Sequence, residues 1–319
     1  MTRFNLERIR SAPSRIAAEF LNTPQYVCDR LSDELQCQIT LKIETLNPIR
    51  CFKGRGTDLA VSRLVDVSGA SSVVCASAGN LGQALAYSGR SQGVSTTVVA
   101  SAAASPLKLQ RIRALGATVT LVDGDIELAR ATAAKLAATT NAMLIEDSEN
   151  LDTCEGAATI GLELATIADD LDAVLIALGG GAMATGVGYV LKQLAPHVDI
   201  ICVQPKKAPA MTLSWRARKI VETETCDTIA DGVAGRCPIA VVLDDLLATA
   251  DNALLVEEAS IVKGIRLLYE CAGLVVEPSA ALGVAAILEN PNLFKGKRVA
   301  TIICGANVAA TDHRNWVSM

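Results

Sequence analysis

The chain has 319 residues, of which 50% are apolar and 20% charged, and a formal net charge of −5. That is enough chain for one large domain or two and enough apolar content for a sizeable core, while the acidic balance and the lack of a basic cluster exclude a nucleic-acid partner. Residues Met1 to Arg10 are too charged for a secretory signal, no stretch reaches the about 18 uninterrupted apolar residues of a membrane span, and ten cysteines without any C-x-x-C spacing predict reduced, mostly buried thiols in a cytoplasmic protein.

From residue 71 onward short apolar strands alternate with helices. A strand over 72–76 leads to a helix over 81–92, and a strand over 96–100 to a helix over 106–115 that carries Pro106 in its first turn. A strand over 118–122, an Ala-rich helix over 126–139 and a strand over 142–145 follow. A helix over 154–167 precedes a strand over 173–178. After Gly179-Gly180-Gly181 a helix runs to Leu194, then a strand covers 200–203, and a last strand covers 299–304. Apolar strands alternating with helices predict an α/β protein with open, mostly parallel sheets covered by helices on both faces.

Lys53 lies in Asn47-Pro48-Ile49-Arg50-Cys51-Phe52-Lys53-Gly54-Arg55-Gly56, between an aromatic ring and a Gly-x-Gly stretch. A lysine amine becomes a nucleophile where burial or a nearby cation favours its neutral form, and glycines let backbone approach a ligand closely. Read alone, the run is equally a strand end with a solvated basic turn. Ser77-Ala78-Gly79-Asn80-Leu81 lies between a strand and a helix, which is the ligand edge of an open sheet; free N–H groups at the helix start suit a carboxylate or phosphate, and the alternative is a plain tight turn. Gly179-Gly180-Gly181-Ala182-Met183 also follows a strand and opens a helix, presenting several N–H donors to a phosphate. The loose dinucleotide pattern it satisfies wants an acidic residue at the end of the next strand, where Gln204-Pro205 stands instead, so a single phosphate ester is preferred. Cys304, at a strand's carboxyl end before Gly305, faces the same crevice or is an ordinary buried thiol. His197 and His313 read as surface residues, and Asp244-Asp245 and Glu257-Glu258 as solvated turns or helix starts. There is no zinc-ligand spacing.

Taken in order, these segments resemble the serine/threonine dehydratase and serine racemase family of pyridoxal-phosphate enzymes with the tryptophan-synthase-β fold. The resemblance runs from about Leu41 to Asn307 and rests on five motifs: Cys51-Phe52-Lys53-Gly54-Arg55-Gly56, Ser77-Ala78-Gly79-Asn80-Leu81, Gly179-Gly180-Gly181-Ala182-Met183, Thr228-Ile229-Ala230-Asp231-Gly232 and Glu277-Pro278-Ser279. It implies a large domain of residues 1–70 and 148–319, a small substrate-side domain of residues 71–147, a pyridoxal 5'-phosphate cofactor in the cleft between them, and a homodimer. It implies that Lys53 is the Schiff-base lysine and base and that Phe52 lies against the ring. Asn80 would meet the ring hydroxyl, and Gly179, Gly180, Gly181, Ala182 and Met183 the phosphate. Glu277 would join the cofactor site, and Cys304 would face the pyridine nitrogen. Ser77, Ala78, Gly79, Asn80 and Leu81 would receive the substrate carboxylate.

Departures from the family pattern refine the expectation. Ala78 stands where racemases place a second acid/base serine, which disfavours racemisation. Gln204 and Ala210 stand where metal-using relatives have carboxylates, so no metal is expected. Leu81 replaces the family's histidine, and Glu155-Gly156-Ala157-Ala158-Thr159 replaces Ala-Gly-Gln-Gly-Thr. Both changes point to a 3-hydroxy amino acid with a bulky apolar β-substituent, as in phenylserine dehydratases, rather than serine or threonine. The expected activity is dehydration and deamination of such a substrate to a 2-oxo acid and ammonia. A plain L-serine/L-threonine dehydratase, β-replacement, racemisation and a non-catalytic small-molecule-binding protein are the rival expectations.

Overall fold

The computed structural model describes residues 2–68 and 71–318; the domain boundary expected after residue 70 falls beside the pair 69–70, outside the described residues. Among the described residues ten strands form two sheets. They are β1 (Gln25–Val27), β2 (Gln38–Ile43), β3 (Ser72–Ala76), β4 (Ser95–Ser101), β5 (Thr118–Val122), β6 (Met143–Leu144), β7 (Ala173–Ala177), β8 (Asp199–Pro205), β9 (Asn252–Val256) and β10 (Arg298–Ile303). The larger sheet has the order β1-β2-β10-β7-β8-β9 and the smaller β5-β4-β3-β6. All pairings are parallel except β1 with β2.

β7 is buried along its whole length, as a strand covered by helices on both faces must be. That is why its apolar run was legible in the sequence. β1, β2 and β9 were not expected. β1 has only three residues, and β2 mixes Thr40 and Lys42 into its buried stretch, so neither gives a clean apolar period. We propose the two sheets as the cores of a large and a small domain. The helix Lys53–Ser68 serves both, because its Val61 and Leu64 pack in the cluster that holds Leu81, Leu85, Val98 and Ile112.

Lys53 does not end a strand: it opens that helix. The glycines beside it serve packing rather than a ligand. A Cβ at Gly54 would lie 2.3 Å from the Phe20 ring, and one at Gly56 2.5 Å from the Thr153 carbonyl oxygen. The helix Leu151–Leu164 answers with Gly156, whose Cβ would lie 2.5 Å from Gly56 Cα. The two helices therefore cross backbone against backbone, and only glycine permits the approach.

Seven of the ten cysteines are buried and all ten are free thiols. Among the described residues no helix is long and apolar enough to cross a membrane. Two expectations are corrected. Asp245 is not solvated: it is fully buried and accepts the Arg3 backbone N–H at 2.9 Å and Nε at 2.7 Å. His313 is not on the surface: it is 5% exposed, and its ring packs edge-on against Tyr269 at 5.4 Å. In the helix Ala310–Ser318 His313 is buried and Trp316 and Val317 pack against the main core, so the histidine helps to seat the helix, a role invisible in a polar C-terminal sequence.

Burial holds the His313 imidazole below its ordinary value of 6.5. The unfolded chain then binds the proton first as pH falls, so His313 stabilises the fold above about pH 6.5 and that contribution is lost on acidification toward its lowered folded value. Melting temperatures of the wild type and His313→Gln, measured between about pH 7.5 and 5.5, should show a steeper fall for the wild type; equal slopes would refute the argument.

Candidate active site

The segment before Lys53 is pinned to the segment after β10. Cys51 forms an antiparallel bridge with Gly305, the Phe52 N–H donates to the Cys304 carbonyl at 3.0 Å, and the Ala306 N–H donates to the Arg50 carbonyl at 2.9 Å. Lys53 and Cys304, 251 positions apart in the numbering, are thereby fixed side by side. The Lys53 side chain is 14% exposed. Its Nζ lies 4.7 Å from the Phe52 ring centroid and forms an ion pair with Asp147.

These groups face a cavity of about 750 Å³ at the carboxyl edges of both sheets, where open α/β sheets place ligands. Every site residue expected from the sequence lines it: Phe52, Lys53, the run from Ser77 to Leu81, the run from Gly179 to Met183, Glu277 and Cys304. β3 delivers the Ser77 run, β7 the glycine run and β10 Cys304.

Gly181 has φ +109°, the left-handed region. A Cβ there would lie 2.5 Å from Val242 Cγ1, and one at Gly180 2.4 Å from Ser148 Oγ. The helix Ala182–Leu194 that follows has no cap from its N-cap residue, which leaves its start suited to an anion; Ser148 Oγ accepts the Ala182 N–H at 3.3 Å. The helix Asn80–Ser91 likewise starts without a side-chain cap. Two uncapped helix starts and a buried lysine around one cavity fit a phosphate-bearing aldehyde together with a carboxylate substrate.

Glu277 is the buried hub of the remaining wall. Asn80 Nδ2 donates to its two carboxyl oxygens at 2.9 and 3.1 Å, and the Asn307 N–H donates at 3.1 Å. Asn307 Nδ2 donates in turn to Asn80 Oδ1 at 2.8 Å. A Cβ at Gly305 would lie 2.4 Å from the Glu277 carboxyl carbon, so the glycine after Cys304 makes room for this acid. Burial pushes the Glu277 carboxyl above its ordinary value, against the Asn80 donor. Burial, then the neighbouring Glu277, push the Cys304 thiol well above its ordinary value, which keeps it a neutral, weak donor. Burial likewise pushes the Cys51 thiol up to about 12.

Several residues of the site were not expected, among them Asp147, Ser148, Lys108 and Arg130, which line the cavity, and Asn307, which is bonded to Glu277 and Asn80. Asp147 and Ser148 follow β6 in Glu146-Asp147-Ser148-Glu149, and a run of acids at a strand's carboxyl end was the available signal. One expected contribution is absent. Ala157 and Ala158 are buried within the helix Leu151–Leu164, Glu155 pairs with Arg8 and Arg63, Thr159 accepts from Arg55, and none of the run from Glu155 to Thr159 lines the cavity. Gln204 lines the cavity, and its Oε1 accepts the Thr212 N–H at 2.8 Å.

A family model described as pyridoxal-phosphate dependent enzyme matches residues 16–305. The chain is 31% identical over 303 residues to the L-threonine ammonia-lyase of Thermotoga maritima, covering 95% of this chain and 75% of that one. It is 32% identical over 314 residues to the L-threo-3-hydroxyaspartate ammonia-lyase of Saccharomyces cerevisiae, covering 97% and 95%. The structure of maize serine racemase superimposes with a TM-score of 0.92 at 26% identity, over 98% of this chain and 96% of that one.

A side chain at Gly181 adds the cost of a left-handed non-glycine residue, about 1–2 kcal/mol, and displaces the loop from Val242. Gly181→Ala should weaken binding of pyridoxal phosphate by about tenfold, read by titration of the apoprotein. Unchanged affinity and unchanged stability would show that this loop does not seat the phosphate.

Proposed function

Because this chain belongs to the family of pyridoxal-phosphate-dependent enzymes, we propose that it is an ammonia-lyase that dehydrates a 3-hydroxy amino acid to a 2-oxo acid and ammonia. The observation that carries the reading is the convergence of Lys53, the glycine run and the Asn80–Glu277–Cys304 wall on one cavity. Pyridoxal phosphate supplies an electron sink for the charge left at Cα when its proton is removed. The amides from Gly179 to Met183 would hold its phosphate, Phe52 and Asn80 would flank its ring, and Cys304, kept as a thiol, would face the ring nitrogen without delivering a full charge. Ser77 and the first-turn amides of the helix Asn80–Ser91 bind the substrate carboxylate. Lys53 Nζ accepts the Cα proton. The β-hydroxyl leaves as water, and the released enamine tautomerises and hydrolyses in solution. Ala78, with no proton to give, supports elimination over racemisation. A homodimer is our reading of the assembly, supported by Tyr26 and Val27 exposed on the edge strand β1.

For the β-substituent, Leu81, Ile126 and Leu144 line the small-sheet side of the cavity and support a bulky apolar group of the phenylserine type. A β-carboxylate, as in the substrate that names the yeast relative, is the second reading, because Lys108 and Arg130 line the same cavity. Both cations already have carboxylate partners, Asp231 and Glu127, so such a substrate must displace one of them.

Borohydride reduction of the holoprotein and peptide mapping should place the cofactor on Lys53, and Lys53→Ala should abolish turnover because no other group replaces the amine. A label on another lysine would sink the assignment.

The wild type should show a higher kcat/KM with an aryl- or branched-substituted 3-hydroxy amino acid than with L-serine. Leu81→His should narrow that ratio, since one apolar contact is worth about 1–3 kcal/mol of discrimination. A preference for L-serine or L-threonine would leave a plain serine/threonine dehydratase, and a preference for 3-hydroxyaspartate would favour the second reading.

A further inference from the structure

Asp147 lies in a turn that several elements hold in place. The Arg3 guanidinium, itself anchored on buried Asp245, donates to the Ser148 carbonyl at 3.2 Å and the Glu149 carbonyl at 2.6 Å. Thr153 Oγ1 donates to the Asp147 carbonyl. The Asn150 N–H donates to the Glu146 carbonyl at 3.2 Å, and Ser148 Oγ takes the Ala182 N–H. The backbone on both sides of Asp147 is therefore fixed to the N-terminal segment and to two helices, and its carboxylate is set between Lys53 and the glycine run. One oxygen is bonded to Lys53 Nζ and lies 4.0 Å from where a Cβ at Gly180 would sit.

A lysine side chain is a flexible four-carbon stem with a point charge at its end, and immobilising it costs rotamer freedom. A carboxylate held rigidly within bonding distance offsets that cost and aims the amine.

We infer that Asp147 is a positioning residue for Lys53. It acts through Lys53 and touches no substrate atom itself. When Nζ takes the Cα proton, the electron pair of the C–H bond stays with the substrate and Nζ becomes an ammonium. The Asp147 carboxylate, already in place, stabilises the charge that forms there. The C–O bond then breaks with its electron pair on oxygen, and the departing hydroxide receives the proton from Lys53, directly or through solvent. Water is lost and the amine is neutral again. This inference rests on Lys53 being the reacting amine, as proposed above.

The test compares the wild type, Asp147→Asn and Asp147→Glu. Asp147→Asn keeps the shape of the side chain and removes its charge; Asp147→Glu restores the charge. In the full-length apoprotein, reductive methylation with formaldehyde and cyanoborohydride, mapped by peptide, should label Lys53 about threefold faster in Asp147→Asn, with the other lysines as internal reference and Asp147→Glu close to wild type. In the holoenzyme Asp147→Asn should lower kcat by about tenfold or more with KM changed by less than about threefold, at full cofactor content and unchanged melting temperature. A Lys53 labelling rate and kcat equal to wild type would overturn the inference, as would equal losses of cofactor and stability in both variants. Cofactor fixed by borohydride on a lysine other than Lys53 would instead overturn the reading of the site on which this inference rests.

Discussion

Arg55 is fully buried, and its guanidinium holds together the parts that present Lys53. Its Nε donates to Glu44 at 2.8 Å, and its terminal nitrogens donate to Glu44 at 2.9 Å, to Glu163 at 2.6 and 2.9 Å and to Thr159 at 3.0 Å. Lys42, also fully buried, reaches the same Glu163 and the Thr23 carbonyl. Two cations and two carboxylates thus neutralise one another inside the protein. Burial pushes the Glu163 carboxyl up, but the Arg55 and Lys42 donors outweigh it and hold it below its ordinary value. Lys42 shows the opposite balance: burial lowers it despite the Glu163 bond. Such a lattice is stable only when complete, since loss of one member leaves an uncompensated buried charge. It ties β2, the helix of Lys53 and the helix Leu151–Leu164 into one block, two residues from Lys53.

The glycine crossing and the charge lattice act on the same pair of helices. Gly56 and Gly156 bring the backbones into contact, and Arg55 then reaches Thr159 and Glu163 across the gap. A lysine at the first position of a helix so clamped has little freedom in its backbone. What freedom remains lies in its side chain, which Phe52 and Asp147 restrict. The same economy appears opposite, where Gly305 clears space for Glu277 and Glu277 gathers Asn80 and Asn307.

Much of this was legible along the chain. β3 and β5 fall on the expected spans, because an apolar run bounded by turn residues has few other readings once helices alternate with it. The Ser77 run, the glycine run and Cys304 could each be singled out because strand ends followed by glycine lie at the ligand edge of a parallel sheet, and Lys53 because an aromatic ring and a Gly-x-Gly stretch flank it. The misreadings share a cause. Asp245, His313, Gly54 and the run from Glu155 to Thr159 were assigned from residue type and near neighbours, whereas their environments come from residues far away: Arg3 for Asp245, Tyr269 for His313, Phe20 for Gly54.

The α/β class, the alternation of elements through residues 71–203, and the residue types that point to a phosphate and an amine nucleophile can all be read along the chain, because periodicity and strand-end chemistry are local properties. The fold adds that Lys53 opens a helix, that Asp147 meets it, that Glu277 joins Asn80 to Asn307, and that Arg55 and Lys42 share Glu163. The last three depend on contacts between residues separated by tens to hundreds of positions, such as Asn80 and Glu277, 197 apart. A contact of that kind leaves no period in the sequence: it exists only once closure of the sheets has brought its two partners to the same place.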